Sequence, residues 1–350
     1  MMPSISSTNS IHLGEGHTPL IRSRAIGPEM GLPHLYFKLE NLNPSGSYKD
    51  RFAARLINDM LAKGQKTCIA TSSGNTGAAL SAYCAAAGIR CIVIVVDGAP
   101  QPKLKQMQLY GAELLMIQDF GKSAGVTEQV FQELAKINAK ADLPLPISAY
   151  KFCAVGMEGV ETISHELMEQ LEDEIEIFVP AGGGGLTLAV ARGVLSKQRQ
   201  TKVHCVQPEG NDTIASSLRK GYPAVAIPRS STSISGLQVA NVLDGQEVIT
   251  TCRQLGGTGY TVEDEAVYQC HRNLAIKEGI FSEPAGAVAL AGLEKAILLG
   301  EIDPDKKYVC LVTGSGFKDM ETVDRNFALP AVRPISPDEA LSRLHQFSPG

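Results

Sequence analysis

Thr67-Cys68-Ile69-Ala70-Thr71-Ser72-Ser73-Gly74-Asn75-Thr76-Gly77 is the stretch that decides how this chain folds. It opens as a short apolar strand, breaks into hydroxyl, amide and glycine residues, and continues into an alanine-rich helix that Gly88 stops. Cys91 to Val96 then returns as a β-branched run suited to a strand covered on both faces. Strand, turn, helix, strand is the unit of parallel sheets, because a parallel neighbour needs a crossover and a helix supplies it.

The same grammar extends in both directions. Upstream, Leu35 to Leu39 alternates like a strand, Asn43-Pro44-Ser45-Gly46 is a turn, and Tyr48 to Lys63 reads as a helix ended by Gly64. Downstream, helices at Pro102 to Tyr110 and Ser123 to Ala139 flank a strand at Glu113 to Ile117. The pattern restarts with a helix at Gly159 to Leu171, a strand at Ile175 to Pro180, a helix at Leu186 to Ser196 and a strand at Lys202 to Val206. Helices at Glu263 to Glu278 and Ala285 to Leu298 precede a last strand at Tyr308 to Thr313. Two such runs predict an α/β protein of two lobes, each a mainly parallel twisted sheet flanked by helices. The active site belongs in the cleft between them, at the carboxyl ends of the strands. Beyond Leu329, Pro330, Pro334, Pro337 and Pro349 mark a tail in which Ser336-Pro337-Asp338-Glu339 has the form of a helix start.

The 350 residues are 44% hydrophobic and 20% charged, with a net charge of −5. That balance argues against disorder, and no basic block offers a footprint for nucleic acid or an anionic membrane. Met1 to Ser10 is polar without a signal-peptide pattern, and the longest apolar runs fall far short of the roughly 20 residues of a membrane span. The eight cysteines contain no C-x-x-C pair and mostly sit in apolar runs, which reads as reduced, buried thiols of a cytoplasmic protein. The seven histidines show no H-x-x-x-H spacing, so no zinc is expected.

Three elements carry chemistry, and each has an ordinary reading beside the functional one. Gly182-Gly183-Gly184-Gly185 lies between a strand and a helix, where the absence of Cβ atoms lets backbone N–H groups close around an anion such as a phosphate monoester; the ordinary reading is a tight turn. Ser72 to Gly77 offers hydroxyls and N–H groups at another helix start, suited to a carboxylate, or simply to capping that helix. Lys49 stands at the mouth of a helix in Ser47-Tyr48-Lys49-Asp50-Arg51. A lone lysine is ordinarily a surface charge, whereas an imine-forming one must be partly desolvated, which lowers its proton affinity.

These elements, in this order, resemble the tryptophan-synthase-like (fold type II) superfamily of pyridoxal-phosphate enzymes, and within it the threonine synthase branch. The resemblance runs from about Gly14 to Asp319. It is carried by Glu15 to Leu20, Lys38-Leu39-Glu40, Asn43 to Arg51, Thr71 to Gly77, Gln207-Pro208-Glu209-Gly210, Glu278 to Ala285 and Thr313-Gly314-Ser315-Gly316-Phe317-Lys318-Asp319. It implies a large domain of residues 1–54 and 156–330 that binds the cofactor phosphate, a small domain of residues 55–155, and a C-terminal tail, 331–350, with a short helix. Pyridoxal 5'-phosphate would be held by Lys49 as an imine, and Lys49 would then shuttle the Cα proton of a small amino-acid substrate. Gly182, Gly183, Gly184 and Gly185 would hold the cofactor phosphate, Asn75 would bond the ring 3-hydroxyl, and Thr313 would face the pyridine nitrogen. Ser72, Ser73 and Thr76 would take the substrate carboxylate. A homodimer is implied as well.

The implied reaction is that of a threonine synthase lyase, O-phosphohomoserine and water to threonine and phosphate. The alternative, β-elimination or β-replacement on serine, threonine or an O-activated serine, stays open, because two stretches depart from the synthase pattern. Ala181 to Gly185 is closer to the phosphate loop of serine and threonine dehydratases. The synthases also carry an arginine for the substrate phosphate just ahead of an E-G-x-K-T stretch. In Val155-Gly156-Met157-Glu158-Gly159-Val160-Glu161-Thr162, Gly156 falls near its place and Glu161 replaces the lysine. Lys38, Arg51 and Lys151 are the cations that could substitute, and arginine introduced at Gly156 is expected to improve specificity for the phosphorylated substrate. Gln207 stands where serine racemase has a glutamate that helps hold a divalent cation, so no such cation is expected. A catalytically silent cofactor-binding protein and a nicotinamide-dependent oxidoreductase are the readings from other classes.

Overall fold

The structure is a computed structural model that describes residues 10–99, 101–172, 174–197 and 201–346. The polar lead-in before Ser10 and Pro349 of the tail lie outside them. The described residues divide into two compact units, one ending at Asp319 and one beginning at Met320.

The first unit runs β1 (Leu20–Arg22), α1 (Ile26–Glu29), β2 (Leu35–Leu39), α2 (Lys49–Ala62), β3 (Thr67–Thr71), α3 (Asn75–Ala87), β4 (Arg90–Val95), α4 (Gln101–Leu109), β5 (Glu113–Met116) and α5 (Ala124–Lys140). It continues with α6 (Tyr150–Gln170), β6 (Ile175–Pro180), α7 (Gly185–Ser196), β7 (Lys202–Pro208), α8 (Ala215–Lys220), α9 (Gly245–Gln254), β8 (Gly259–Val262), α10 (Asp264–Glu278), α11 (Val288–Leu298) and β9 (Lys307–Val312). Among the described residues the strands form two sheets, one of six in the order β1-β2-β9-β6-β7-β8 and one of three, β3-β4-β5. Every pairing is parallel except that of β1 with β2. Two mainly parallel sheets flanked by helices is the architecture the alternation predicts.

Parallel strands covered on both faces are apolar throughout, and β6 is buried along its whole length. Phe37, Ile177, Phe178, Val309 and Leu311 are fully buried on β2, β6 and β9, each contributing roughly 1.5–3 kcal/mol of transfer free energy. The alanine-rich α3 is buried along most of its length and ends at Gly88, whose φ of +64° is the left-handed cap that a Cβ would strain. Helix α6 extends further toward its N-terminus than the sequence pattern indicates and is interrupted at Cys153, which has φ −148° and ψ 72°. Strands β1 and β8 and helices α1, α8 and α9 are additions to the sequence reading. All eight cysteines are buried free thiols, and no helix among the described residues is long and apolar enough to cross a membrane.

The second unit contains α12 (Met320–Asn326) and α13 (Pro337–His345). The Ser336 hydroxyl accepts the N–H of Glu339, with Pro337 in the first helical position, as the tail sequence predicts.

Candidate active site

The segments after β9, β3 and β6 converge on one place. The turn before α2 lies antiparallel on the segment after β9. The Tyr48 N–H donates to the Thr313 carbonyl (3.1 Å), the Ser315 N–H donates to the Gly46 carbonyl (2.9 Å), and Ser47 bridges Gly314. Asp50 reaches back to accept the N–H and hydroxyl of Ser45. This double tether fixes Lys49, the first residue of α2, past the carboxyl end of β9.

The Lys49 side chain is half-buried, and its Nζ donates to the Tyr48 phenol and, at 2.6 Å, to the Ser148 hydroxyl. Burial pulls its proton affinity down to about 7, with the Glu283 carboxylate opposing that shift. Near neutral pH a substantial fraction of the amine is therefore uncharged, the state that attacks a carbonyl and accepts a proton.

The turn after β3 is mixed in its orientation. Ser72 Oγ accepts the N–H of Gly74 (3.2 Å), just before α3, and that of Gly77 (3.0 Å) in its first turn, and Ser73 Oγ accepts the N–H of Val96 at 3.2 Å. Thr76 Oγ1 instead lies 3.3 Å from Ser148 Oγ, within one hydroxyl of the lysine amine. Asn75 Nδ2 donates to both oxygens of Glu283, at 3.0 and 3.1 Å. Glu283 precedes a short turn of 3-10 helix, so this contact joins the layer of β3–β5 to that of the larger sheet.

Thr313 is buried, and its Oγ1 has no hydrogen-bond partner among the described residues. The hydroxyls of Ser47 and Ser282, on the segments bridged to Gly314 and Ser315, are unpartnered too. Buried hydroxyls without a partner cost free energy unless something else completes them. A neutral ring nitrogen presented to Thr313 would do so.

Gly182 to Gly185 form the turn from β6 into α7. Gly184, with φ +98°, is the residue before the helix, and the first-turn amides of α7 have no partner within it. A Cβ on Gly183 would come within 2.9 Å of Leu243, and one on Gly184 within 3.0 Å of Val248. The missing side chains make room for the protein packed behind the loop as well as leaving its amides open. Gln207 holds this loop from below: its Nε2 donates to the Gly182 carbonyl at 3.0 Å, while its Oε1 accepts the N–H groups of Thr213, Ile214 and Ala215 at the start of α8.

Sequence reasoning misplaced the cations. A Cβ on Gly156 would stand 2.4 Å from the Phe52 ring, and one on Gly159 would stand 2.2 Å from the Arg51 carbonyl oxygen. The α2–α6 crossing is too close for an arginine at 156, so an arginine there would disturb the packing of Phe52 rather than improve phosphate recognition, contrary to the expectation from sequence. Arg51 donates to both oxygens of Glu40 (2.7 Å each) and to Glu166, and Lys38 donates to Glu166 at 2.7 Å, all within a buried cluster. Both are therefore structural and are removed as phosphate ligands. Lys151 is exposed, and Glu161 accepts the Tyr150 phenol at 2.5 Å.

Three residues of the site escaped the sequence. Ser148 belongs to no motif, Glu283 stands only within a resembling stretch, and Asp244 lies outside every motif quoted above. Asp244 accepts the N–H groups of Tyr150 (2.8 Å) and Lys151 (3.0 Å), and its own N–H donates to the Gly183 carbonyl (3.1 Å), tying the 148–151 segment to the glycine turn.

Comparison with known proteins gives these residues a common meaning. The family model described as pyridoxal-phosphate dependent enzyme matches residues 11–314. The threonine synthase of Halalkalibacterium halodurans is 31% identical over 339 residues, covering 95% of this chain and 92% of that one. That of Methanosarcina acetivorans is 30% identical over 324 residues, covering 89% and 78%. The structure of maize serine racemase shares the fold, with a TM-score of 0.75 and 23% identity over 94% of this chain and 93% of that one. The unpartnered Thr313 hydroxyl, the open amides of α7 and the weakly basic Lys49 amine fit pyridoxal phosphate at its ring nitrogen, phosphate and aldehyde. On this match the chain belongs to the pyridoxal-phosphate-dependent enzymes of fold type II, within which it is a threonine synthase-like lyase.

Proposed function

We propose that the chain acts on a small amino acid carrying an activated side-chain oxygen, converting O-phosphohomoserine and water to threonine and phosphate. The observation that carries this reading is the Lys49 amine, half-buried, weakly basic and held between hydroxyls at the junction of the two sheets. Similarity to threonine synthases along most of the chain supports the choice of substrate.

When bound, pyridoxal phosphate supplies an electron sink for the pair left by a bond broken at the substrate Cα. The chain's own residues do the remainder. Gly182 to Gly185, with the first-turn amides of α7, hold the cofactor phosphate at the positive end of the helix. Thr313 gives the ring nitrogen a neutral partner, which leaves the ring a weaker sink than a carboxylate partner would and favours elimination over transamination. Asn75 would bond the ring 3-hydroxyl by turning its amide from Glu283, to which it donates in this structure. The start of α3, with Thr76, Ser72 and Ser73, takes the substrate carboxylate. Lys49 Nζ, neutral, removes the Cα proton and returns one later. The same reading carries the large and small domains divided at 54/55 and 155/156, a homodimer and a cytoplasmic setting.

A second reading, elimination or replacement on serine, threonine or an O-activated serine, is favoured by one observation. The crossing at Gly156 leaves no room for a guanidinium, and elimination from an unphosphorylated substrate needs none. Lys318 remains as a half-buried cation in the field of Glu283, bonded to the Gln106 side chain at 2.9 Å. Inorganic phosphate released from O-phosphohomoserine, measured beside 2-oxo acid released from serine and threonine, decides between the two. Phosphate release that exceeds oxo-acid release is the expected result, and the reverse order would move the assignment to the second reading.

A further inference from the structure

We infer that Ser148 is a catalytic residue, whose hydroxyl receives the Lys49 amine while that amine is free of the cofactor and carrying the substrate's proton. The inference rests on the proposed role of Lys49. Its first support is contact: Ser148 Oγ lies 2.6 Å from Lys49 Nζ, a short hydrogen bond to the reacting atom itself. The hydroxyl in turn meets Thr76 Oγ1 at 3.3 Å, so that an oxygen accepting from the amine can donate its own proton onward.

The second support is rigidity. The Ser148 carbonyl oxygen would be 2.8 Å from a Cβ on Gly185, so the segment lies directly against the glycine turn. Asp244 locks the two together through Tyr150, Lys151 and Gly183. Ser148 therefore shares a frame with the amides proposed for the cofactor phosphate, and the spacing from those amides to the Lys49 amine is set by the protein.

The third is charge. An ammonium formed when Lys49 takes the Cα proton has few groups to offset its burial. Glu283 favours it electrostatically, and the half-buried Tyr48 phenol, whose proton affinity is raised by desolvation, keeps its proton and so remains neutral. Lys318 lies in the field of Glu283 and Asp50. A hydroxyl oxygen aimed at Nζ is then a material part of what makes the amine basic enough. Removing it should make Lys49 a weaker base.

Ser148→Ala, Ser148→Thr and the parent are compared as holoenzymes and after cofactor removal. In the stripped proteins, acetylation of Lys49 by acetic anhydride is followed against pH by peptide mass spectrometry. The midpoint is expected to fall by about one pH unit or more in Ser148→Ala, the worth of one hydrogen bond to a charged group, and to stay at the parent value in Ser148→Thr. In the holoenzyme, kcat of Ser148→Ala should fall at least about tenfold, with the acid limb of its pH profile moving to lower pH. A folded Ser148→Ala with the parent's midpoint and kcat overturns the inference. Should that variant not fold, Thr76→Val decides: a smaller shift in the same direction is expected, and no shift overturns it. Borohydride reduction and peptide mapping keep the two layers apart. A label on another lysine would remove the role of Lys49, whereas a label on Lys49 with an unmoved midpoint removes only that of Ser148.

Discussion

Lys38 and Lys49 lie on either side of the same turn, and the protein removes both from bulk water to opposite ends. Lys38 is fully buried at the centre of a closed set: Glu166, Gln170 and the Thr18 carbonyl take its three donors, and Arg51 joins Glu166 to Glu40. Lys49 is given two hydroxyls and a carboxylate's distant field. In the first region each charge is answered by a partner, so the group is inert. In the second the charge is left incompletely answered, so the proton is easily exchanged. Reactivity here comes from what the fold withholds from a lysine.

The largest effect should come from breaking the open side of this pair. Lys49→Ala is expected to lower turnover by roughly a thousandfold or more and to abolish covalent attachment of cofactor, with melting behaviour retained. Steady-state kinetics and mass spectrometry after borohydride treatment measure both.

The closed side should fail in the other currency, stability. Arg51→Met leaves Glu40 and Glu166 buried without their shared cation and should cost about 3–5 kcal/mol in denaturant unfolding, while the molecules that remain folded still turn over. Loss of turnover with stability intact would erase the distinction.

Acid sharpens the contrast. Burial raises Glu166, but Arg51 and then Lys38 outweigh it and hold the carboxylate at about 2 against an ordinary 4.5. A depressed carboxylate stabilises the fold fully above its unfolded value and loses that contribution as pH falls through its folded one. Stability attributable to Glu166 should therefore drop by about 3 kcal/mol between pH 4.5 and pH 2. Glu176, paired with Lys202 and His204, is held at about 2 as well. The measurement is accordingly the difference between the unfolding curves of the parent and Glu166→Gln across this window.

The smallest effect concerns Thr313, whose unpartnered hydroxyl belongs with the open region. Thr313→Val should leave the cofactor-free protein as stable as the parent or slightly more so, yet weaken cofactor retention on dialysis by roughly tenfold. A variant that loses stability without losing cofactor would place this hydroxyl on the structural side.

How much of this was legible follows from how local each feature is. The strand–turn–helix units at Thr67–Gly88 and Ile175–Ser196 are written in contiguous residues, as is the position of Lys49 at the mouth of a helix, and those readings agree with the structure. Ser148 carries no local signal because its meaning is its distance to a side chain 99 positions away. Strand β8 is only four residues long, and Gly259 fits because a Cβ would meet the Ala215 carbonyl at 2.0 Å, a contact no window of sequence contains. The error at Gly156 has the same source: sequence position put it where a phosphate ligand was sought, while the helix face it occupies is turned toward Phe52.

The close crossing of α2 and α6 also sets terms for anyone redesigning this enzyme. With glycines 156 and 159 seated against Phe52 and the Arg51 backbone, that stretch of α6 is closed to mutagenic libraries meant to enlarge or recharge the substrate chamber. Diversity belongs instead at Lys151, exposed in the first turn of α6, and around Lys318 and Gln106, where side chains rather than backbones meet. A new specificity is easier to write there than in the glycine stretch of α6 that aligns with the family's arginine.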